Sequence, residues 1–126
     1  MGNNFTGRSD FEAISYVDAS AKKEGTVIGT LVRPPKDSDF VKASVQWMLD
    51  QRYIATGIGP GEDYSNRIHS VADEPDQFIA WVFTEGTMYV NGEVPYSYSF
   101  AISFNKSDRT ISLHYPRHPP PAVVSR

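Results

Sequence analysis

Between residues 62 and 69 the chain gathers Glu62, Asp63, Tyr64, Arg67 and His69, its densest run of groups able to move protons or hold charge. A carboxylate held against apolar walls acts as a base near neutral pH, and a tyrosine hydroxyl stabilises a developing oxyanion. Asp63, Tyr64 and His69 are therefore the catalytic candidates, for proton abstraction or an isomerase- or cyclase-type reaction. Glu62 and Arg67, with Trp81, Tyr96 and Tyr98, are candidates for contact with a ligand or partner. The plainer reading makes the charges a solvated loop and the period-two aromatics core.

The glycines just before this run do not make a phosphate cradle. A dinucleotide fingerprint needs G-x-G-x-x-G between a strand and a helix, so that backbone N–H groups meet the pyrophosphate. Here Gly57, Gly59 and Gly61 follow a predicted helix, the third glycine is misplaced, and Pro60 lacks an N–H. These residues read as a helix end and a turn.

Other chemistry is thinly represented. There is no cysteine, which excludes disulfides, thiolate nucleophiles and cysteine-based metal centres. The histidines are His69, His114 and His118, and Pro116 spoils any helical i, i+4 ligand pair between the last two. No metal site or cofactor is expected, and no G-x-S-x-G nucleophile elbow is present. A formal charge of −3 without a basic stripe disfavours nucleic acid. No apolar run approaches the roughly 20 residues that span a bilayer, and no secretory signal is evident, so a cytoplasmic, soluble protein is expected. MGNNFT fits the loose N-myristoylation pattern, but no polybasic segment follows to supply a second anchor.

The elements that must position these groups fit one domain over 1–126, with flexible tails at 1–8 and 117–126. Ser9 and Glu12 have capping-box spacing, and Phe11, Ile14, Val17 and Ala21 recur at helical intervals, predicting a helix over about 10–23 that Gly25 ends. TVIGTLVR (26–33) reads as a strand stopped by Pro34-Pro35. Asp37 or Ser38 caps a helix over about 38–54, with Gly57 at its C-terminus. From 57 to 76 periodicity disappears and a long loop is expected, with a short strand or turn around Arg67–Val71.

QFIAWVFT (77–84) is apolar on both faces, as a strand covered twice would be. Glu85-Gly86 reads as a turn into TMYV, and Asn91-Gly92 as a type I′ hairpin turn. VPYSYSFAISF (94–104) alternates strictly between large residues and Ser or Ala. TISLHY (110–115) returns antiparallel, and PRHPPP continues as an extended polyproline tail.

The sequence therefore predicts an α+β fold in the order α-β-α-β-β-β-β. A curved antiparallel sheet of four to five strands carries one or two helices on one face and resembles a cone or half-barrel. Without a catalytic motif, the leading expectation is a non-enzymatic binding domain with an inhibitor, immunity-type or adaptor role. It would dock a protein partner, or a second copy, through its exposed sheet face or the 57–76 loop. The alternative is a small-molecule pocket near Asp63, Tyr64 and His69.

Overall fold

The computed structural model describes residues 4–18, 25–55, 63–89 and 92–114. Among these residues it is an α+β fold: one open antiparallel sheet of six strands with a single α-helix, and a separate two-stranded pair. In chain order the elements are β1 (Phe11–Ile14), β2 (Val17–Asp18), β3 (Thr26–Leu31), α1 (Ser38–Asp50), β4 (Ile54–Ala55), β5 (Asp63–Asp73), β6 (Gln77–Tyr89), β7 (Glu93–Asn105) and β8 (Thr110–His114). The large sheet runs β1-β3-β8-β7-β6-β5, while β2 pairs with β4 in parallel. Six strands exceed the four to five expected, and the sheet does not close.

The N-terminal helix expected over 10–23 is not formed. Residues 8–10 make a 3₁₀ turn, and β1 and β2 follow. Asp10, rather than Ser9, organises this turn: its Oδ2 accepts the Thr6 N–H at 2.7 Å and the Thr6 hydroxyl at 2.9 Å. Strand pairing then overrides helical spacing, because Phe11 and Ile14 align with Leu31 and Gly29 and complete the ladder of β3. Phe5, in the segment expected to be a tail, packs edge-on against Phe11, Phe40 and Trp47 at centroid separations of 5.9, 5.6 and 5.8 Å.

Helix α1 begins where its cap dictates. Asp37 is extended and its carboxylate accepts the Phe40 N–H at 2.8 Å. Its inner stripe, Phe40, Val41, Ser44, Val45, Met48 and Leu49, is buried on the sheet. The helix ends four residues before the expected boundary. Arg52 takes a left-handed φ of 62°, Tyr53 N–H donates to Met48 O at 2.9 Å, and Arg52 N–H donates to Leu49 O at 3.1 Å. This is a Schellman closure with arginine in the place glycine usually takes; Gly57 lies outside the described residues. We expect Asp37→Ala to cost about 1 kcal/mol by loss of the cap, read as a lower urea midpoint with an unchanged slope.

The loop expected over 57–76 is largely strand β5. Its alternation is hidden by a bulge between Ile68 and Ser70, which moves the core-facing positions from even to odd numbers. Ile68 and Val71 therefore both reach the main core although they stand three apart. Residues 57–62 are outside the described part. Glu85-Gly86 is likewise not a turn: β6 passes straight through it, with Gly86 opposite both Tyr64 and Tyr96. The chain reverses after Tyr89, which pairs with Glu93, and Gly92 has a φ of 112° that favours glycine. Asn91 lies outside the described residues.

The main core sits between α1 and one sheet face. Phe78, Ala80 and Val82 of β6, Phe100, Ile102 and Phe104 of β7, and Ile111 and Leu113 of β8 supply the sheet side. At the sheet's start, Trp47 stacks on Phe11 and on Tyr53, with centroids 5.4 and 5.2 Å apart. Tyr53 stacks in turn on the exposed Tyr16 at 4.2 Å. Hydrogen bonding to the Tyr53 side chain, then the electrostatic influence of that residue, raises the pKa of Tyr16. After β7 a turn closes on Asn105, whose Oδ1 accepts the N–H groups of Ser107 and Asp108. The Thr110 hydroxyl and then its N–H hold the Asp108 carboxyl below the usual carboxylate range.

Candidate functional site

Strand alternation sorts the sequence-derived candidates onto two faces. Arg67 and Trp81 lie on the face away from α1, and the backbone of Asp63 pairs with Thr87 at the start of β5. Tyr64 pairs with Gly86, Tyr96 with Gly86, and Tyr98 with Thr84, which places these three positions on the helix-side face. Asp63 and His69 are six residues apart on one extended strand, a separation of roughly 20 Å. These two positions of the catalytic candidate set are thus held apart along the strand. Glu62 is outside the described residues.

Arg67 and His69 are brought together around Phe83, which the sequence marks only as an apolar strand residue. Phe83, half-buried on β6, pairs with Arg67 across the ladder. The Arg67 guanidinium lies 5.5 Å from the Phe83 ring centre, and the His69 ring lies 4.8 Å from it, tilted by 37°. Arg67 also donates to Glu85 Oε1 at 3.1 Å. This ion pair is wet at both ends, so its own contribution to stability is small. Its effect is orientational: it holds the guanidinium over the ring, where the cation meets the ring's negative face. His69 Nδ1 shares a hydrogen bond of 2.9 Å with the Ser70 hydroxyl at the bulge, which limits its rotation.

Phe83 and Glu85 could be found only through cross-strand register. Glu85 looked like a turn residue, and Phe83 shared its two-residue period with Ile79 and Trp81. Once β5 is a strand, the i, i+2 pair Phe83–Glu85 falls opposite Arg67 and Ser65. On the helix-side face the corresponding row is structural: the buried Thr84 hydroxyl donates to Asn66 Oδ1 at 2.6 Å. That bond satisfies two polar groups beyond the apolar part of the core.

Further along the outward face lie Ile79, Trp81 and Ala101, a small buried apolar cluster separate from the main core. Ser99 and Ser103 flank Ala101 on β7 and are also buried. Ser103 Oγ lies 3.0 Å from His114 Nε2, joining β7 to β8 beside the same cluster. The small residues of β7 therefore form a low floor between Trp81 on one side and His114 on the other.

A shallow cavity of about 140 Å³ lies elsewhere, lined by Asn4, Asp10, Arg33, Pro34, Lys36 and Phe40. The candidates Arg67, His69 and Trp81 are not among the described residues that line it. Among the described residues no three metal-ligating side chains converge, and no helix is long and apolar enough to cross a membrane. In comparisons with known proteins the chain matches no family model, no curated protein and no solved structure.

Proposed function

We propose that this chain is a non-enzymatic binding domain that docks a protein partner through the outward face of β5 and β6, in an inhibitor, immunity-type or adaptor role. The observation that carries the reading is the cluster of Arg67, His69, Glu85 and half-exposed Phe83. Arginine and aromatic side chains dominate the energetics of protein interfaces, because each combines a large apolar area with directional polar contact. Here the arginine is already oriented over the ring, which reduces the ordering cost of binding.

The small-molecule alternative requires Asp63, Tyr64 and His69 around one cavity. The backbone of β5 sets positions 63 and 64 at one end of the strand and His69 six residues further along it, beside Phe83. The partner-binding reading is therefore preferred.

The test is affinity capture with immobilised full-length chain, comparing the unaltered protein with Phe83→Ala, Arg67→Ala and a helix-surface control, Lys42→Ala. A partner held by the unaltered chain and by the control is expected to lose about 2 kcal/mol of binding, roughly thirtyfold in affinity, on removal of Phe83. A captured partner that binds Phe83→Ala and Arg67→Ala as tightly as the unaltered chain would refute this surface.

A further inference from the structure

The parallel pairing of β2 with β4 sets two tyrosines side by side. Val17 pairs with Ile54, so the residues just before them, Tyr16 and Tyr53, are neighbours in the same register. The Val17 N–H donates to Tyr53 O at 2.8 Å, the Ser15 N–H donates to Ile28 O at 2.9 Å, and the Tyr53 N–H closes the end of α1 on Met48 O. Both backbones are therefore pinned, although each strand of the pair is only two residues long. The two rings lie 4.2 Å apart at an interplanar angle of 12°, and their side chains are hydrogen-bonded to each other. Trp47 stacks on Tyr53 at 5.2 Å and 25°, which holds the inner ring in place. Tyr53 is half-buried, whereas Tyr16 is 71% exposed and open to a reagent in solution.

We propose that Tyr16 and Tyr53 are an oxidative cross-linking site: hydrogen peroxide, acting through a haem peroxidase, joins them into an intramolecular dityrosine. Each phenol loses one electron and its hydroxyl proton and becomes a phenoxyl radical. The radicals couple through ring carbons ortho to oxygen, forming one carbon–carbon bond. The hydrogens displaced from those carbons return to the two oxygens as hydroxyl protons. The two electrons and two protons lost overall break the O–O bond of one peroxide and reduce it to two waters. Exposed Tyr16 meets the oxidant first. Hydrogen-atom exchange across the hydrogen bond passes the radical to Tyr53, and a second oxidation of Tyr16 completes the pair. Coupling needs the outer ring to swing out of the parallel stack, and the exposure of Tyr16 gives it that freedom.

The cross-link would fasten the N-terminal strands to the end of α1. The chain has no cysteine and cannot make a disulfide, and the tyrosine bond supplies a comparable closure. It spans roughly 37 residues and restricts the unfolded chain more than the folded one, as a disulfide does. Seven tyrosines are present, so unguided coupling would give mixed and intermolecular products. Two groups held in contact have an effective concentration in the millimolar range or far above it. At micromolar protein the Tyr16–Tyr53 product should therefore dominate.

The experiment treats the full chain at micromolar concentration with a haem peroxidase and one equivalent of hydrogen peroxide. A monomer lighter by two hydrogens is expected, with dityrosine fluorescence and a cross-linked peptide pair that contains Tyr16 and Tyr53. Its yield should not change on dilution. Tyr16→Phe and Tyr53→Phe keep a ring in the stack and remove one phenol, and each should lower the yield of monomeric dityrosine about tenfold with unchanged far-UV circular dichroism. The cross-linked monomer should unfold at higher urea than identically treated Tyr16→Phe. Dityrosine found only in covalent dimers, a monomeric cross-link between other tyrosines, or a yield unchanged in either variant would overturn the site. A urea midpoint no higher than that of treated Tyr16→Phe would overturn its fastening role.

Discussion

Phe100→Ala is expected to remove about 3–5 kcal/mol of stability, the usual cost of truncating a fully buried phenylalanine. Phe100 is wholly inaccessible at the centre of β7 and pairs with Val82 of β6. It belongs to the layer that receives Val41, Val45 and Met48 of α1. The loss has two parts. The removed ring no longer leaves water on folding, and the cavity left behind cannot collapse between a helix and two paired strands. A domain of this size has about 5–15 kcal/mol in total, so the variant should be marginal at room temperature. Urea unfolding followed by far-UV circular dichroism reads the loss as a lower midpoint with an unchanged slope. A loss below about 1 kcal/mol would mean that Phe100 is not packed as described.

Gly29→Ala is the second large effect, and here two tendencies oppose each other. Replacing glycine in a strand normally stabilises by about 0.5–1 kcal/mol, because the unfolded chain loses freedom. At position 29, however, an added Cβ would lie 2.8 Å from the Ala13 carbonyl oxygen and 3.4 Å from the Ile14 Cα. Both atoms are backbone of β1, so no side-chain rotation relieves the clash. Overpacking of this kind costs about 1–3 kcal/mol and should win. The damage should be local as well as global. Amide exchange in Phe11–Ile14 should accelerate more than that in β6 or β7, because β1 is an edge strand held only by β3. A Gly29→Ala variant as stable as the parent, with β1 amides still protected, would show that the two strands have room to separate.

Gly29 also explains why the N-terminal residues form a strand where their spacing predicts a helix. Phe11, Ile14 and Val17 satisfy a helical period, and only β-branched and aromatic propensity argued against it. A neighbouring strand with an unpaired edge, and a glycine that lets β1 approach closely, decided the outcome. Neither is a local property of residues 10–23. Strand β5 failed to show itself for a different reason. It is an edge strand, wet on much of one face, and its bulge breaks the two-residue period just where Ile68 and Val71 would have marked it.

Where local chemistry was sufficient, the sequence was a good guide. Asp37 caps α1, the apolar stripe from Phe40 to Leu49 faces the core, and the alternation of β7 separates its phenylalanines from its serines. The two-sided apolar character of β6 also held: Phe78, Ala80 and Val82 join the main core, while Ile79 and Trp81 form the second cluster. Each of these follows from a period, a cap or a turn residue within about fifteen positions.

The candidate site was legible as a list of residues and illegible as an arrangement. Arg67 and His69 stood out by type, yet Phe83 and Glu85, which complete the cluster, lie 16 and 18 positions beyond Arg67. Sequence alone determined that this is a cysteine-free α+β chain with a capped amphipathic helix and long alternating strands. Those features are written in side-chain periods and in the backbone limits of proline and glycine. Only the tertiary structure decided that β3 pairs with β8, that β5 is a strand, and which groups meet across the sheet. Register is set by burial and hydrogen bonding between segments far apart in the chain, and a one-residue bulge is enough to change which face a side chain takes.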